Sequence, residues 1–321
     1  MKTVFLDSET MGSDADFSPL YSACPDLLLY QYTTQDNLNQ RLSDASIVIT
    51  NKTVIDRETL FLNPQIRCIL VTATGVNNID METACQKGIS VCNVTAYGSN
   101  AVAQHVFCLL LALSNKLISY HEDVRNGLWH QSHSFCLMNH PTFELSGKRI
   151  LIVGHGETGR AVAKLAGAFN MIVEFALLPG RIYSQAQQRE RKPLDELLEE
   201  ADIVTLHCLL SDTTRELINA RRLQKMKKTA FLINTARGGL VDETALAEAL
   251  KKGRIAGAAL DVLSVEPPAE PHVLLNPAIT NLIVTPHMAW ITKEARQRLI
   301  STTAENLRAF LKGSPVNLVR I

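Results

Sequence analysis

The sequence predicts an α/β protein built from two doubly wound domains. Strand-like and helix-like runs alternate through the N-terminal part, the alternation restarts at Lys148, and the first strand of that second set leads into a glycine loop, Gly154-His155-Gly156-Glu157-Thr158-Gly159. At 321 residues the chain is long enough for two domains that each bury a core.

In chain order, short apolar runs predict strands at Thr3 to Leu6, Ser46 to Thr50, Cys68 to Thr72 and Ile89 to Val94, with a helix over Asp80 to Lys87. Val102, Val106, Leu109, Leu110 and Leu113 recur at helical spacing, so one long helix is expected from about Ser99 to Arg125, stopped by Asn126-Gly127. Leu128 to Phe143 carries Trp129, Phe135 and Pro141 without a period and is expected as a structured arm. The second set starts with Ile150 to Val153, a helix from Thr158 to about Phe169, and a strand from Met171 to Ala176. Further strands are expected at Ile203 to Leu206, Ala230 to Ile233, Ala256 to Leu260 and Leu282 to Val284. They alternate with helices at Leu194 to Glu200, Asn219 to Lys227 and Glu243 to Lys252. A last helix from Lys293 to about Leu311 ends at Gly313-Ser314-Pro315.

Bulk properties narrow the function classes. With 32 basic and 32 acidic residues, nothing favours nucleic acid or an anionic membrane surface, so a small-molecule partner is expected. Asp7 interrupts the start before a signal-peptide core forms, and Val106 to Leu113 falls short of the ~20 residues of a spanning helix, so a soluble cytoplasmic protein is expected. Seven cysteines without a Cys-x-x-Cys pair fit reduced, buried thiols. His130 and His133 have ligand-like spacing but no accompanying cluster, so no metal site is expected.

The chemistry concentrates after the glycine loop. Gly154 permits the tight turn, Gly156 lets the backbone approach a pyrophosphate, Gly159 lets the helix pack on the sheet, and N–H groups at the helix start bind the anion. An acid about 20 residues on would hold the ribose hydroxyls of NAD. Here the segment reads Phe175-Ala176-Leu177-Leu178-Pro179-Gly180-Arg181, with leucines in that place. Arg181 can either pair with the 2′-phosphate of NADP or lie in solvent.

Three further residues each follow an apolar run and so reach one edge of a parallel sheet: Arg237, Glu266 and His287. Arg237, before Gly238-Gly239, offers a planar fork for a carboxylate. Glu266 precedes Pro267-Pro268, which hold it extended, and a carboxylate against an imidazole fixes its tautomer and favours its protonated form. His287, in a stiff turn after Thr285-Pro286, could then give a proton to a carbonyl oxygen as hydride arrives at carbon. Asp261 ends a strand on the same edge and could accept a hydrogen bond from a carboxamide, whereas His105 and His207 lie in apolar patterns and read as core or near-cofactor positions. Hydride transfer to a small anionic carbonyl compound is the chemistry this set points to.

Over nearly its whole length the chain resembles the D-2-hydroxyacid dehydrogenases, and within them the glycerate dehydrogenases, also called hydroxypyruvate reductases. The marks are Thr74-Gly75-Val76-Asn77-Asn78-Ile79-Asp80, Asn93-Val94-Thr95-Ala96-Tyr97-Gly98, Val153 to Gly159, Ile233 to Asp242, Ala258 to Pro268 and Ile283 to Trp290, in fixed order. The resemblance implies a flavodoxin-like substrate domain, 1–98 with 289–321, and an inserted Rossmann dinucleotide-binding domain, 99–288, with the active site in the cleft between them. It implies that Arg237 binds the substrate carboxylate and keto oxygen, that His287 is the acid/base and that Glu266 tunes it. Gly75, Val76 and Asn77 are implied to help hold the substrate. Gly154, Gly156, Glu157, Thr158, Gly159, His207, Cys208, Leu209, Thr214, Thr235, Ala236, Arg237, Asp261 and His287 are implied to line the cofactor. A homodimer through Ser99 to Phe143 is implied as well.

Two departures stand out: Leu209 occupies a common proline position, and the acid near Leu177 is missing. Because the glycerate branch often lacks that acid, NAD(H) is the favoured cofactor, with NADP(H) the alternative. The expected reaction is reduction of hydroxypyruvate or a similar 2-keto acid to the D-2-hydroxy acid. The alternatives are a reductase of glyoxylate or another 2-keto acid, and a dinucleotide-sensing interaction protein like the corepressors that share this fold.

Overall fold

The computed structural model describes residues 1–319. It divides into two compact units, Met1–Gly98 with Ile291–Ile321, and Ser99–Trp290.

The first unit opens with β1 (Thr3–Phe5), α1 (Ser18–Ala23), β2 (Leu28–Leu29), α2 (Gln35–Leu42) and β3 (Ile47–Thr50). It continues with α3 (Arg57–Leu62), β4 (Cys68–Val71), α4 (Met81–Gln86) and β5 (Ser90–Cys92). All five strands are parallel, in the order β2-β1-β3-β4-β5, the flavodoxin-like arrangement. Alternate residues face a core of Val4, Val48, Ile69, Val71 and Val91. Helix starts follow the sequence: Asp56 and Asp80 cap α3 and α4 by accepting from Thr59 N and Thr83 N, each at 2.8 Å.

The second unit holds α5 (Ser99–Ser114), α6 (Leu117–Arg125), β6 (Arg149–Val153), α7 (Glu157–Ala168), β7 (Ile172–Leu177), α8 (Gln185–Arg189) and β8 (Arg191–Pro193). After these come α9 (Leu194–Glu200), β9 (Ile203–Leu206), α10 (Ala220–Lys225), β10 (Phe231–Asn234), α11 (Glu243–Lys251), β11 (Gly257–Leu260) and β12 (Leu282–Val284). The parallel order is β12-β11-β10-β9-β6-β7-β8, which reverses direction between β6 and β9 and so forms a doubly wound switch point there. Both faces are covered. Ile150, Ile152, Phe231 and Ile233 belong to one core with α5 and α7, while Leu151, Val153, Val204 and Leu232 belong to the other. The first unit is completed by α12 (Lys293–Leu311), capped by Thr292 and packed on α1 and β4.

The expected single helix over Ser99 to Arg125 is corrected to two. Lys116 adopts a left-handed φ of 53°, and α5 and α6 diverge by 58°. Locally, Ser114 Oγ and Asn115 Nδ2 both bond Leu111 O, at 3.3 and 3.1 Å, so side chains compete for the carbonyl at the helix end. The apolar period runs on into Leu117 and Ile118, yet these are 61% and 48% exposed, so no burial holds the axis straight. Among the described residues no single helix is long and apolar enough to cross a membrane, and all seven cysteines are free thiols.

Candidate active site

β10, β11 and β12 are neighbours, so the segments that follow them emerge side by side at one edge of the sheet. Arg237 leaves β10 in extended backbone and starts a 3-10 turn, Gly238–Leu240. Asn234 pins that turn from both ends: its Nδ2 donates to Arg237 O at 2.8 Å and its Oδ1 accepts from Ala236 N at 3.0 Å. The guanidinium is exposed and spends one N–H on Ala236 O at 2.6 Å, which leaves most of a five-donor fork for an external anion. Gly238 is required by contact rather than by conformation, since a Cβ there would sit 1.9 Å from the Leu263 carbonyl carbon.

That close approach joins the Arg237 turn to the loop after β11, which carries Glu266. Leu263 N donates to Glu266 Oε1 at 2.9 Å, and His287 Nδ1 lies 2.6 Å from Glu266 Oε2. Both side chains are about a third exposed, at 34% and 30%. With Nδ1 committed to the carboxylate, Nε2 is the nitrogen left for proton exchange.

His287 has a φ of 52°, a conformation that non-glycine residues rarely adopt. Its N–H donates to Asp261 O at 2.8 Å and to Thr285 O at 3.0 Å. The Asp261 carboxylate, 1% exposed, accepts from Thr285 Oγ1 at 2.6 Å, Met288 N at 2.9 Å and Ala289 N at 2.8 Å. His105 on α5 completes the set: its Nε2 lies 3.0 Å from Thr285 Oγ1 and 3.4 Å from Asp261 Oδ1. Because the Thr285 hydroxyl proton goes to Asp261, His105 Nε2 is the donor to Thr285. Burial pushes the Asp261 carboxyl up, but the bonds from His105, Thr285, Ala289 and Met288 outweigh it and hold the acid below its ordinary value. Sequence reading treated His105 only as a core or near-cofactor position and passed over Thr285. A hydroxyl directly before Pro286, opposite a strand-ending acid, was the available signal.

At the β6/β9 switch point Gly154 has a φ of 118°, and a Cβ on it would lie 2.6 Å from His207 backbone. A Cβ on Gly159 would lie 2.0 Å from Gly154 O, so helix and loop can approach only without one. At Gly156, by contrast, a Cβ would meet nothing within 4 Å. Gly156 caps α7 without a side chain, so the first N–H groups of Glu157, Thr158 and Gly159 find no acceptor among the described residues. Glu157 is drawn aside into a pair with Arg160.

The adjoining loop presents His207, whose Nε2 is 2.8 Å from Thr205 Oγ1 and whose pKa burial pushes down to about 3. Burial also pushes the Cys208 thiol up to about 11, which removes it as a nucleophile. Leu209 is 82% exposed, and Thr214 Oγ1 braces it by donating to Leu209 O at 2.7 Å. At the end of β10 the Thr235 hydroxyl is buried without a hydrogen-bond partner among the described residues. Open space at Gly156 under uncapped amides, together with an orphaned hydroxyl at the same sheet edge, fits a dinucleotide. In the first unit, the backbone N–H groups of Gly75, Val76 and Asn77 find no protein acceptor among the described residues.

Residues 107–289 match the model of the D-isomer specific 2-hydroxyacid dehydrogenase NAD binding domain. The chain belongs to the D-isomer-specific 2-hydroxyacid dehydrogenase family. A glycerate dehydrogenase of Methylorubrum extorquens is 38% identical over 323 residues, covering 99% of this chain and 98% of the relative. A hydroxypyruvate reductase of Blautia hydrogenotrophica is 38% identical over 326 residues, covering 99% of each. Among solved structures, an acyclic imino acid reductase in complex with NADPH and D-Arg superposes with a TM-score of 0.85 at 29% identity, covering 100% of both chains. As a member of this family the protein is an NAD(P)-dependent oxidoreductase, a 2-hydroxyacid dehydrogenase and 2-keto acid reductase. Its two parallel sheets are those of the family's two-domain architecture.

Proposed function

We propose that this dehydrogenase reduces hydroxypyruvate to D-glycerate, with Arg237, Glu266 and His287 as its catalytic residues. The observation that carries the assignment is the 2.6 Å contact between His287 Nδ1 and Glu266 Oε2, beside the strand that delivers Arg237. In this reading the Arg237 fork pairs with the substrate carboxylate and leans on the keto oxygen, polarising the carbonyl. A bound reduced nicotinamide supplies the hydride to the keto carbon. His287 Nε2 gives its proton to the oxygen that becomes the hydroxyl, and the Glu266 carboxylate stabilises the protonated ring that must be present beforehand. In the oxidative direction the same nitrogen takes the proton back. Gly75, Val76 and Asn77 serve in substrate binding, the first unit acts as the substrate domain, and the second as the dinucleotide domain.

Hydroxypyruvate is preferred because two of the relatives that match along almost their whole length are named for it and its product. A set of rates with hydroxypyruvate, glyoxylate, pyruvate and phosphohydroxypyruvate tests this. A kcat/KM for glyoxylate above that for hydroxypyruvate would reassign the substrate, and absence of turnover on all four would sink the enzymatic reading. We further propose a homodimer through α5, α6 and the arm, where Trp129, Phe135 and Met138 are 51%, 88% and 84% exposed. A monomer mass by light scattering would refute it.

A further inference from the structure

β7 ends at Leu177, beyond the glycine loop, where a doubly wound dinucleotide fold places the adenosine ribose. A cavity of about 410 Å³ opens there, lined by Gly154, His155, Arg160, Arg181, Tyr183 and Arg191, with Glu190 as its one carboxylate. The acid of β7 is turned to other uses: Glu174 pairs with Lys192 at 2.7 Å and Arg149 at 3.3 Å. Three guanidinium groups therefore face a single carboxylate.

The cluster is built into the sheet. Arg191 lies in β8, in register with Phe175 of β7, and its Nη1 donates to Gln187 O at 2.9 Å. Its Nη2 donates to His155 Nδ1 at 2.6 Å, and that ring rests on Phe175 with centroids 4.1 Å apart. Arg181 and Arg191 both approach the Tyr183 ring, at 5.5 and 5.2 Å, and Tyr183 Oη accepts from Leu178 N at 2.8 Å, which fixes the turn. Only Arg160 has an ion-pair partner, Glu157; neither Arg181 nor Arg191 has one among the described residues. Burial first, then Arg191 and Arg160, hold His155 below its ordinary pKa against a smaller opposing effect of Glu190.

We propose that this cavity is a subsite for the 2′-phosphate of NADP(H), read by Arg181 and Arg191, and that the enzyme selects NADP(H) over NAD(H). The inference rests on reading the second unit as the dinucleotide domain. It departs from the expectation of NAD(H), which weighed the missing acid and Arg181 but not Arg191, which the fold brings to the same cavity. A phosphate dianion here gains two planar donor forks, whereas the bare ribose of NAD meets neither a carboxylate at the end of β7 nor a partner for the arginines.

Calorimetric titration of the full chain with 2′,5′-ADP and with ADP tests the subsite apart from turnover. We expect 2′,5′-ADP to bind at least about 10-fold more tightly. Arg181→Ala and Arg191→Ala should each remove about 10-fold of that affinity and leave ADP within about 2-fold. Leu178→Asp, which restores an acid at the end of β7 without touching an arginine, should reverse the preference if an arginine variant fails to fold. Equal affinities in the wild type, or arginine variants that weaken both nucleotides alike, overturn the proposal. Turnover of 2-keto acids with NADH at a higher kcat/KM than with NADPH overturns it as well but leaves the dehydrogenase reading intact. Binding of neither nucleotide overturns both.

Discussion

Replacing Gly238 by Ala tests whether the Arg237 turn and the Glu266 loop are one mechanical unit. The added methyl would lie 1.9 Å from Leu263 C, 2.2 Å from Leu263 O and 2.2 Å from Ser264 N. Carbon atoms in contact settle about 3.5–4.0 Å apart, so the two backbones must separate by about 1.5–2 Å. Neither side yields freely. Leu263 N is tied to Glu266 Oε1 at 2.9 Å, and Ser264 N and Oγ are tied to Glu243 at 2.7 and 2.6 Å. Overpacking of this kind costs about 1–3 kcal/mol, and about 2–4 °C of melting temperature per kcal/mol for a body of this size gives a fall of about 2–12 °C. The catalytic loss should exceed the stability loss in consequence, because a displacement of about 1 Å at positioned groups costs about 100-fold in rate. Circular dichroism melts and steady-state reduction of hydroxypyruvate, both below the variant's melting range, give the two numbers. A variant that melts within about 1 °C of wild type with unchanged kcat would show that the Leu263–Ser264 peptide moves aside freely, and the coupling argument would fail.

Four other predictions follow from the site. His287→Ala should lower kcat by about 100- to 10 000-fold while nucleotide affinity by calorimetry stays unchanged; retained turnover removes it as the acid/base. Arg237→Ala should raise KM and lower kcat, for about 100-fold in kcat/KM, and a change confined to nucleotide affinity would contradict its role. Gly156→Ala meets nothing within 4 Å in the protein, so it should leave the melting temperature unchanged and weaken nucleotide binding, the reverse of Gly238→Ala. For His207 the folded pKa of about 3 lies below the ordinary 6.5, so the unfolded chain takes the proton first and stability declines as pH falls below about 6.5. The slope is at most about 1.4 kcal/mol per pH unit, the value for one proton taken up by the unfolded chain alone. Urea midpoints between pH 7 and pH 5 should drop less in His207→Gln than in wild type; parallel curves would mean the ring is protonated in the native state.

The parts of this fold legible in the sequence are those where one local rule acts alone. Runs such as Ile150 to Val153 and Phe231 to Ile233 are apolar on both faces because parallel strands are covered on both, and Asp80 and Asp242 mark helix starts by capping. Glu266 and His287 could be paired from sequence because two prolines and a strand edge limit where each can stand. What stayed hidden depends on distant partners. The break at Lys116 interrupts a period that continues unbroken in the letters. β8 is three residues containing a proline, Arg191–Pro193, and is a strand only because β7 offers it an edge. Its Arg191 therefore never stood out beside Arg181, although the sheet brings both to one cavity.

Asp261 and Glu266, five positions apart after the same strand, show how burial divides the work of two carboxylates around one histidine. Glu266 stays about a third exposed and meets the ring at Nδ1, where its charge can follow a proton arriving or leaving. Asp261 is almost fully buried and spends both oxygens on Thr285, Met288 and Ala289, the frame on either side of His287. A left-handed φ at a histidine costs on the order of 1–3 kcal/mol and persists only where the surroundings over-determine it. Here they do so through three separate attachments: the Asp261 carbonyl on the His287 amide, the Asp261 carboxylate on its flanks, and His105 reaching from α5 to Thr285. The strained turn gives the ring one direction, so in the proposed mechanism the carboxylate that answers a moving proton need not also hold it in place. On that proposal the separation accounts for two acids where proton transfer alone requires one, the buried one holding the backbone.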